Sequence, residues 1–172
     1  MKKDVSNLMR LLSLTIVLAL ITPAITNAQA GKANFAGTWA LNAEKSTPAP
    51  TAGGGGGQRM GGGDFVATQA ANLLTSTRTR TGQDGTPTTT ILNYTLDGKV
   101  SVNTNPRGDS KSVATWSADG KTLTIVTTST FNDTERKSSE AWTLTDAKTL
   151  SITSTRQGQD GEVKTTRVYD KK

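Results

Sequence analysis

From Asp64 onward, apolar residues recur at every second position in short stretches. Leu123 and Ile125 share one face of 122–129 with Thr127. Trp142 and Leu144 share a face of 137–144 with Glu140, and Leu150 and Ile152 share a face of 149–156 with Ser154 and Arg156. A period of two is that of a strand with one buried face. The stretches are separated by Gly82-Gln83-Asp84-Gly85, Asp97-Gly98-Lys99, Asn105-Pro106-Arg107-Gly108, Asp119-Gly120-Lys121, Asp133-Thr134, Asp146-Ala147-Lys148 and Gly158-Gln159-Asp160-Gly161. Such residues tolerate positive φ or pre-set a turn. The pattern predicts strands at 35–41, 65–70, 73–80, 88–96, 99–103, 111–117, 122–129, 137–144, 149–156 and 163–169. About thirty threonines support this, because a β-branched side chain suits a pleated surface better than a helix. No segment of 31–172 longer than ten residues has a helical period.

Ten short strands joined by tight turns predict an all-β fold, an antiparallel up-and-down meander closed into a barrel of about 8–10 strands. A β-sandwich is the alternative. A membrane barrel does not fit, because the outward face is Thr, Ser, Lys and Asp rather than apolar. In 163–169 the alternatives are Val163, Thr165, Arg167 and Tyr169, or Lys164, Thr166, Val168 and Asp170. The second set carries charges of both signs, so the first is assigned inward. Trp39, Leu41, Leu92, Tyr94, Leu96, Val100, Val102 and Trp116 complete the expected apolar lining, and the parity of 65–70 and 73–80 stays unresolved.

The first thirty residues read differently. Lys2, Lys3 and Arg10 precede an apolar run, Leu11 to Ile21; Pro23 follows, then Ala28-Gln29-Ala30 with small residues around a cleavage point. The run is shorter than the roughly 20 residues that span a bilayer, so 1–30 is expected to be a signal peptide and 31–172 the barrel domain. Cleavage after Ala28 and an uncleaved anchor are the alternatives. Once the signal is removed, no stable membrane span is expected. The chain is thus expected outside the cytoplasm, periplasmic or secreted. Residues 46–63 hold Pro48, Pro50, Gly53 to Gly57 and Gly61 to Gly63, and are expected to form a flexible loop. No Gly-Lys-Ser/Thr follows them, so they are not a phosphate loop.

Composition narrows the chemistry. The chain has no cysteine and no histidine, which leaves no disulfide, no lipid attachment through cysteine, no His-based triad and no zinc or copper site. Any metal would need oxygen ligands, and none is expected; nor is any cofactor. Of 20 Lys+Arg and 14 Asp+Glu, residues 1–30 hold three and one, so 31–172 carries 17 and 13, a net charge of +4. That excess is spread along the chain and not interleaved with aromatics, so no nucleic-acid partner is expected.

Inward parity brings Glu140, Arg156, Arg167 and Tyr169 together on three consecutive strands, beside Trp142. A mostly apolar lining with a few convergent polar groups is the pattern of a small-molecule pocket. Buried arginine must be paired, and two readings remain. Either Glu140 pairs with an arginine and the cluster is structural, or one arginine meets a ligand carboxylate or phosphate. The tryptophans divide in the same way between core packing and cavity lining. Catalysis is not expected, since Glu140 has no second inward acid and Ser154 has no base to activate it.

Two segments resemble the calycin superfamily, and within it the fatty-acid-binding proteins. Phe35-Ala36-Gly37-Thr38-Trp39-Ala40-Leu41 is similar to that family's opening strand, with the Gly-x-Trp of lipocalins. Thr166-Arg167-Val168-Tyr169-Asp170-Lys171 is similar to its closing strand. The resemblance implies a lipocalin-like barrel in which Arg167 and Tyr169 turn inward and can hold a fatty-acid carboxylate. Where that family has a helix-turn-helix lid, this chain has the Gly-rich stretch 46–63. With the export signal, the expectation is a bacterial exported calycin that binds a small apolar or amphipathic ligand, anionic in one reading. The ligand-binding residues would be Arg167, Tyr169, Arg156, Glu140 and Trp142. The alternative is a non-enzymatic structural or interaction module of the cell envelope with a side-chain-filled barrel.

Overall fold

A computed structural model describes residues 31–47, 63–81, 84–105, 108–131 and 133–172; the expected signal peptide and most of the expected loop, 48–62, lie outside them. Ten strands follow one another: β1 Gly37–Asn42, β2 Phe65–Ala70, β3 Leu73–Thr81, β4 Pro87–Thr95, β5 Val100–Asn105, β6 Gly108–Trp116, β7 Thr122–Phe131, β8 Thr134–Asp146, β9 Thr149–Gly158 and β10 Gly161–Lys171. Consecutive strands pair antiparallel except β4 and β5, and β1 also pairs with β10, giving the order β4-β3-β2-β1-β10-β9-β8-β7-β6-β5. The sheet curls into a nearly closed barrel with no helix among the described residues.

All ten expected strands are present. Several run further than the apolar alternation, since β6 begins at Gly108, β8 at Thr134 and β10 at Gly161. The ladder there is made of backbone groups alone, so Ser, Thr and charged residues extend it. Phe35 and Ala36 lie before β1 rather than in it.

Residues 31–36 instead plug one end of the barrel. Phe35 is fully buried, stacked on Trp116 at 5.7 Å and edge-on to Trp142 at 5.7 Å. Its carbonyl accepts the Trp39 indole N–H at 2.9 Å. Its own N–H donates to Gln69 Oε1, while Gln69 Nε2 donates to the Ala33 carbonyl. The Ala33 N–H donates to the carbonyl of Gly120, whose φ is +69°. A Cβ on Gly120 would stand 2.6 Å from the Gly31 carbonyl oxygen, so the Asp119-Gly120 turn needs glycine both for its left-handed backbone and for this approach.

The edges β4 and β5 share no backbone ladder. They are sealed by side chains. Asn103 Oδ1 accepts from the Asn93 N–H at 2.7 Å and Asn103 Nδ2 donates to the Asn93 carbonyl at 3.0 Å, so one amide stands in for a missing strand residue. One turn along, Ser101 Oγ accepts the Thr95 N–H at 2.8 Å. This corrects the parity assigned to β5. Ser101 and Asn103 face inward and are buried, whereas Val100 and Val102 are 58% and 57% exposed. Orphaned edge groups inside a barrel wall cost more than two exposed valines, and that difference sets the register.

The β4–β5 turn is fixed by Asp97. Hydrogen bonds from the Lys99 side chain and backbone bring its carboxyl from 3.8 to about 2. A depressed folded value stabilises the fold above the unfolded value, and the stabilisation is lost as pH falls through the folded one. A carboxyl-carbon NMR titration is therefore expected to place the Asp97 midpoint near 2, and Asp97→Asn is expected to weaken the protein more above pH 4 than at pH 2.

Candidate functional site

The register defines the inner face strand by strand, and nearly every strand runs from apolar at the plugged end to polar at the other. On β8 the sequence is Leu144, Trp142, Glu140, Ser138, Arg136; on β9 it is Leu150, Ile152, Ser154, Arg156. On β7 and β6 the same direction leads from Leu123 and Trp116 to Ser129 and Ser110. On β3 it leads from Leu74 through Ser76 to Arg78 and Arg80.

The lower half is a packed aromatic floor. Phe65 lies edge-on to Trp142 at 5.6 Å and to Tyr169 at 5.0 Å. Trp39, Leu74, Leu123 and Leu150 are fully buried around them. The indole N–H of Trp116 is buried there without a protein acceptor among the described residues.

The upper half is hydroxyl and guanidinium. Ser112 and Thr127 are hydrogen-bonded across strands at 2.9 Å. Five arginines occupy inward positions, Arg78, Arg80, Arg136, Arg156 and Arg167, against one inward carboxylate in this half, Glu140. Glu140, Arg78 and Arg167 are half-buried, so solvent reaches this part of the interior.

Of the residues singled out from sequence, Tyr169 and Trp142 are buried in the floor. Glu140 sits just above it, and its Oε2 accepts the Trp142 indole N–H at 3.0 Å. Arg167 donates to the Thr47 carbonyl at 2.8 Å, where residues 46–47 continue along β10. Arg156 is exposed at the rim. Salt bridges join Lys45 to Asp170, Lys99 to Asp97 and Lys172 to Asp64. Glu140 and Arg78 face a common group. The Tyr94 phenol is pushed well above its ordinary value, first by burial and then by the Glu140 charge, with Arg78 opposing.

Sequence reasoning missed the inward positions of Arg80, Arg136 and Arg78, of which Arg78 is half-buried. Its guanidinium lies 4.3 Å from the Phe65 ring centroid and 5.9 Å from that of Tyr169. The parity that places it there was available from Leu74, since Leu74, Ser76 and Arg78 alternate along one face. The adjacent Leu73 hid the signal; it is 42% exposed in the structure.

Among solved structures, the zebrafish ileal bile acid-binding protein in complex with cholic acid is 18% identical, with a TM-score of 0.55 over 81% of this chain and 100% of that one. The fold is that of a calycin barrel. A variant of the fluorescent protein UnaG is likewise 18% identical, with a TM-score of 0.53 over 80% of this chain and 96% of its own. Neither calycin neighbour is named as an enzyme. No protein-family model and no curated protein matches the sequence.

Proposed function

We propose that this chain is an exported, lipocalin-like binding protein, periplasmic or secreted, which holds a small amphipathic anion inside the barrel and catalyses nothing. The observation that carries the reading is the division of the interior into an aromatic floor and an arginine- and hydroxyl-lined upper half that solvent reaches. An apolar body would rest against the floor at Tyr169 and Trp142, with Arg167 and Arg156 about the charged end and Glu140 accepting from a ligand hydroxyl. The calycin neighbours, one of them bound to cholic acid, support ligand binding in this fold. The pattern of Lys2, Lys3 and Arg10, the apolar run and Ala28-Gln29-Ala30 supports export.

Titration of the purified protein with a fluorescent fatty-acid analogue is expected to saturate in the micromolar range. Absence of saturation would refute the binding function. N-terminal sequencing of protein recovered outside the cytoplasm is expected to begin at Gln29 or Gly31, and an intact Met1 there would refute cleavage.

One observation favours the structural or interaction module. Ile91, Val100 and Val102 are all more than half exposed on the outer face of the two edge strands. That reading predicts no saturable ligand and loss of a partner when Val100 and Val102 are both changed to Thr.

A further inference from the structure

We propose that Arg78 is the charge anchor of the ligand, the residue that receives its carboxylate or other anionic head. The proposal rests on the binding function above and assigns the head group to β3, a strand the sequence resemblance did not point to.

Arg78 is held by rings rather than by an acid. Its guanidinium carbon lies over the Phe65 ring, 4.3 Å from the centroid. Contact with an aromatic face leaves the charge intact and costs the guanidinium none of its donors. Of its five N–H groups, one finds a protein acceptor among the described residues, the Gly63 carbonyl, at a long 3.4 Å. No carboxylate among the described residues lies within 4 Å of it. Glu140, which faces Tyr94 together with Arg78, has its carboxylate engaged by the Trp142 indole.

A half-buried guanidinium with open donors and no counter-charge is a costly arrangement unless something else supplies the anion. Its place at the boundary of floor and polar half suits the junction of an amphipathic ligand, where the apolar body ends and the charged head begins. Arg167 is a weaker candidate, because it already donates a short hydrogen bond to the Thr47 carbonyl.

The test compares two probes, a dansyl-labelled undecanoic acid and its methyl ester, on the wild-type protein, Arg78→Met, Arg78→Lys and Arg167→Met. Thermal melts establish that each variant is folded. Arg78→Met is expected to weaken the acid about ten- to hundredfold and the ester less than about threefold, as for a lost charge-assisted hydrogen bond. Arg78→Lys is expected to recover part of the acid's affinity, and Arg167→Met to cost less than Arg78→Met. Equal losses for acid and ester, or no loss for the acid, would overturn the anchor while leaving the binding function in place. Failure of the wild type to bind either probe would overturn both.

Discussion

Changing Trp39 to alanine is expected to destabilise the protein by about 3–5 kcal/mol, the range of a large buried aromatic removed from a core. Trp39 has no exposed surface. It stands between Phe65 of β2 and Lys171 of β10 in the register, so it packs where the chain's first strand joins both neighbours. Its indole N–H also secures the Phe35 carbonyl, and Phe35 is the side chain that stacks on Trp116 and meets Trp142. The substitution thus opens a cavity and loosens the plug at once. Urea unfolding would measure it. Trp39→Phe retains most of the packing and orphans only the Phe35 carbonyl, so it is expected to cost about 1–2 kcal/mol. A loss below about 1 kcal/mol for alanine would mean that the plugged end can repack without its tryptophan.

Asn103→Ala is expected to cost about 1–3 kcal/mol, since it leaves both the N–H and the carbonyl of Asn93 without partners at a part-buried seam. Hydrogen exchange at the Asn93 amide is expected to accelerate more than at amides of β9, which keep their ladders on both sides. Asn103→Asp separates the two halves of the contact. A carboxylate can still accept from the Asn93 N–H, but its second oxygen faces the Asn93 carbonyl and repels it. Protonation restores a donor, so the folded-state pKa of that carboxyl is raised. The stability of Asn103→Asp should therefore be closest to wild type at acid pH and fall as pH rises through the folded value. A variant equally stable at pH 3 and pH 7 would show that the seam does not depend on the donor.

The strands and the meander were legible in the chain because turn residues punctuate it and backbone pairing of successive segments is local. Inward parity was legible wherever two large apolar residues alternate, as at Leu123 and Ile125 or Leu150 and Ile152. It failed at Val100 and Val102, where the need to satisfy an unpaired edge outweighs burial of two valines. Only the unpaired state of β4 and β5, a property of the closed sheet, makes Asn103 more valuable inside. Phe35 was read as part of a strand because its alternation with Gly37 and Trp39 continues the pattern, whereas its role is set by Trp116 and Trp142, far along the chain. At the site, Arg167 and Tyr169 were found from their alternation and their resemblance. Arg78 was obscured because Leu73 and Leu74 stand side by side, and two adjacent apolar residues do not define a face.

The seam between β4 and β5 also bears on how the barrel comes together. Strands β1–β4 and β5–β10 are two ribbons of consecutive hairpins, each built from contacts close in sequence. They meet along two lines. At β1 and β10 the partners are far apart, Asn42 and Asp170 being 128 residues apart, and forming that contact carries the loop-closure entropy of nearly the whole domain. The full backbone ladder is placed there. At β4 and β5 the Asp97-Gly98-Lys99 turn has already brought the edges together, so little chain entropy remains to be overcome, and a pair of side-chain amide bonds with a serine hydroxyl is enough. The stronger join lies where closure is entropically expensive and the lighter one where the chain has done the work, so formation of the β1–β10 ladder is expected to be the slow step of folding and the amide seam to follow it.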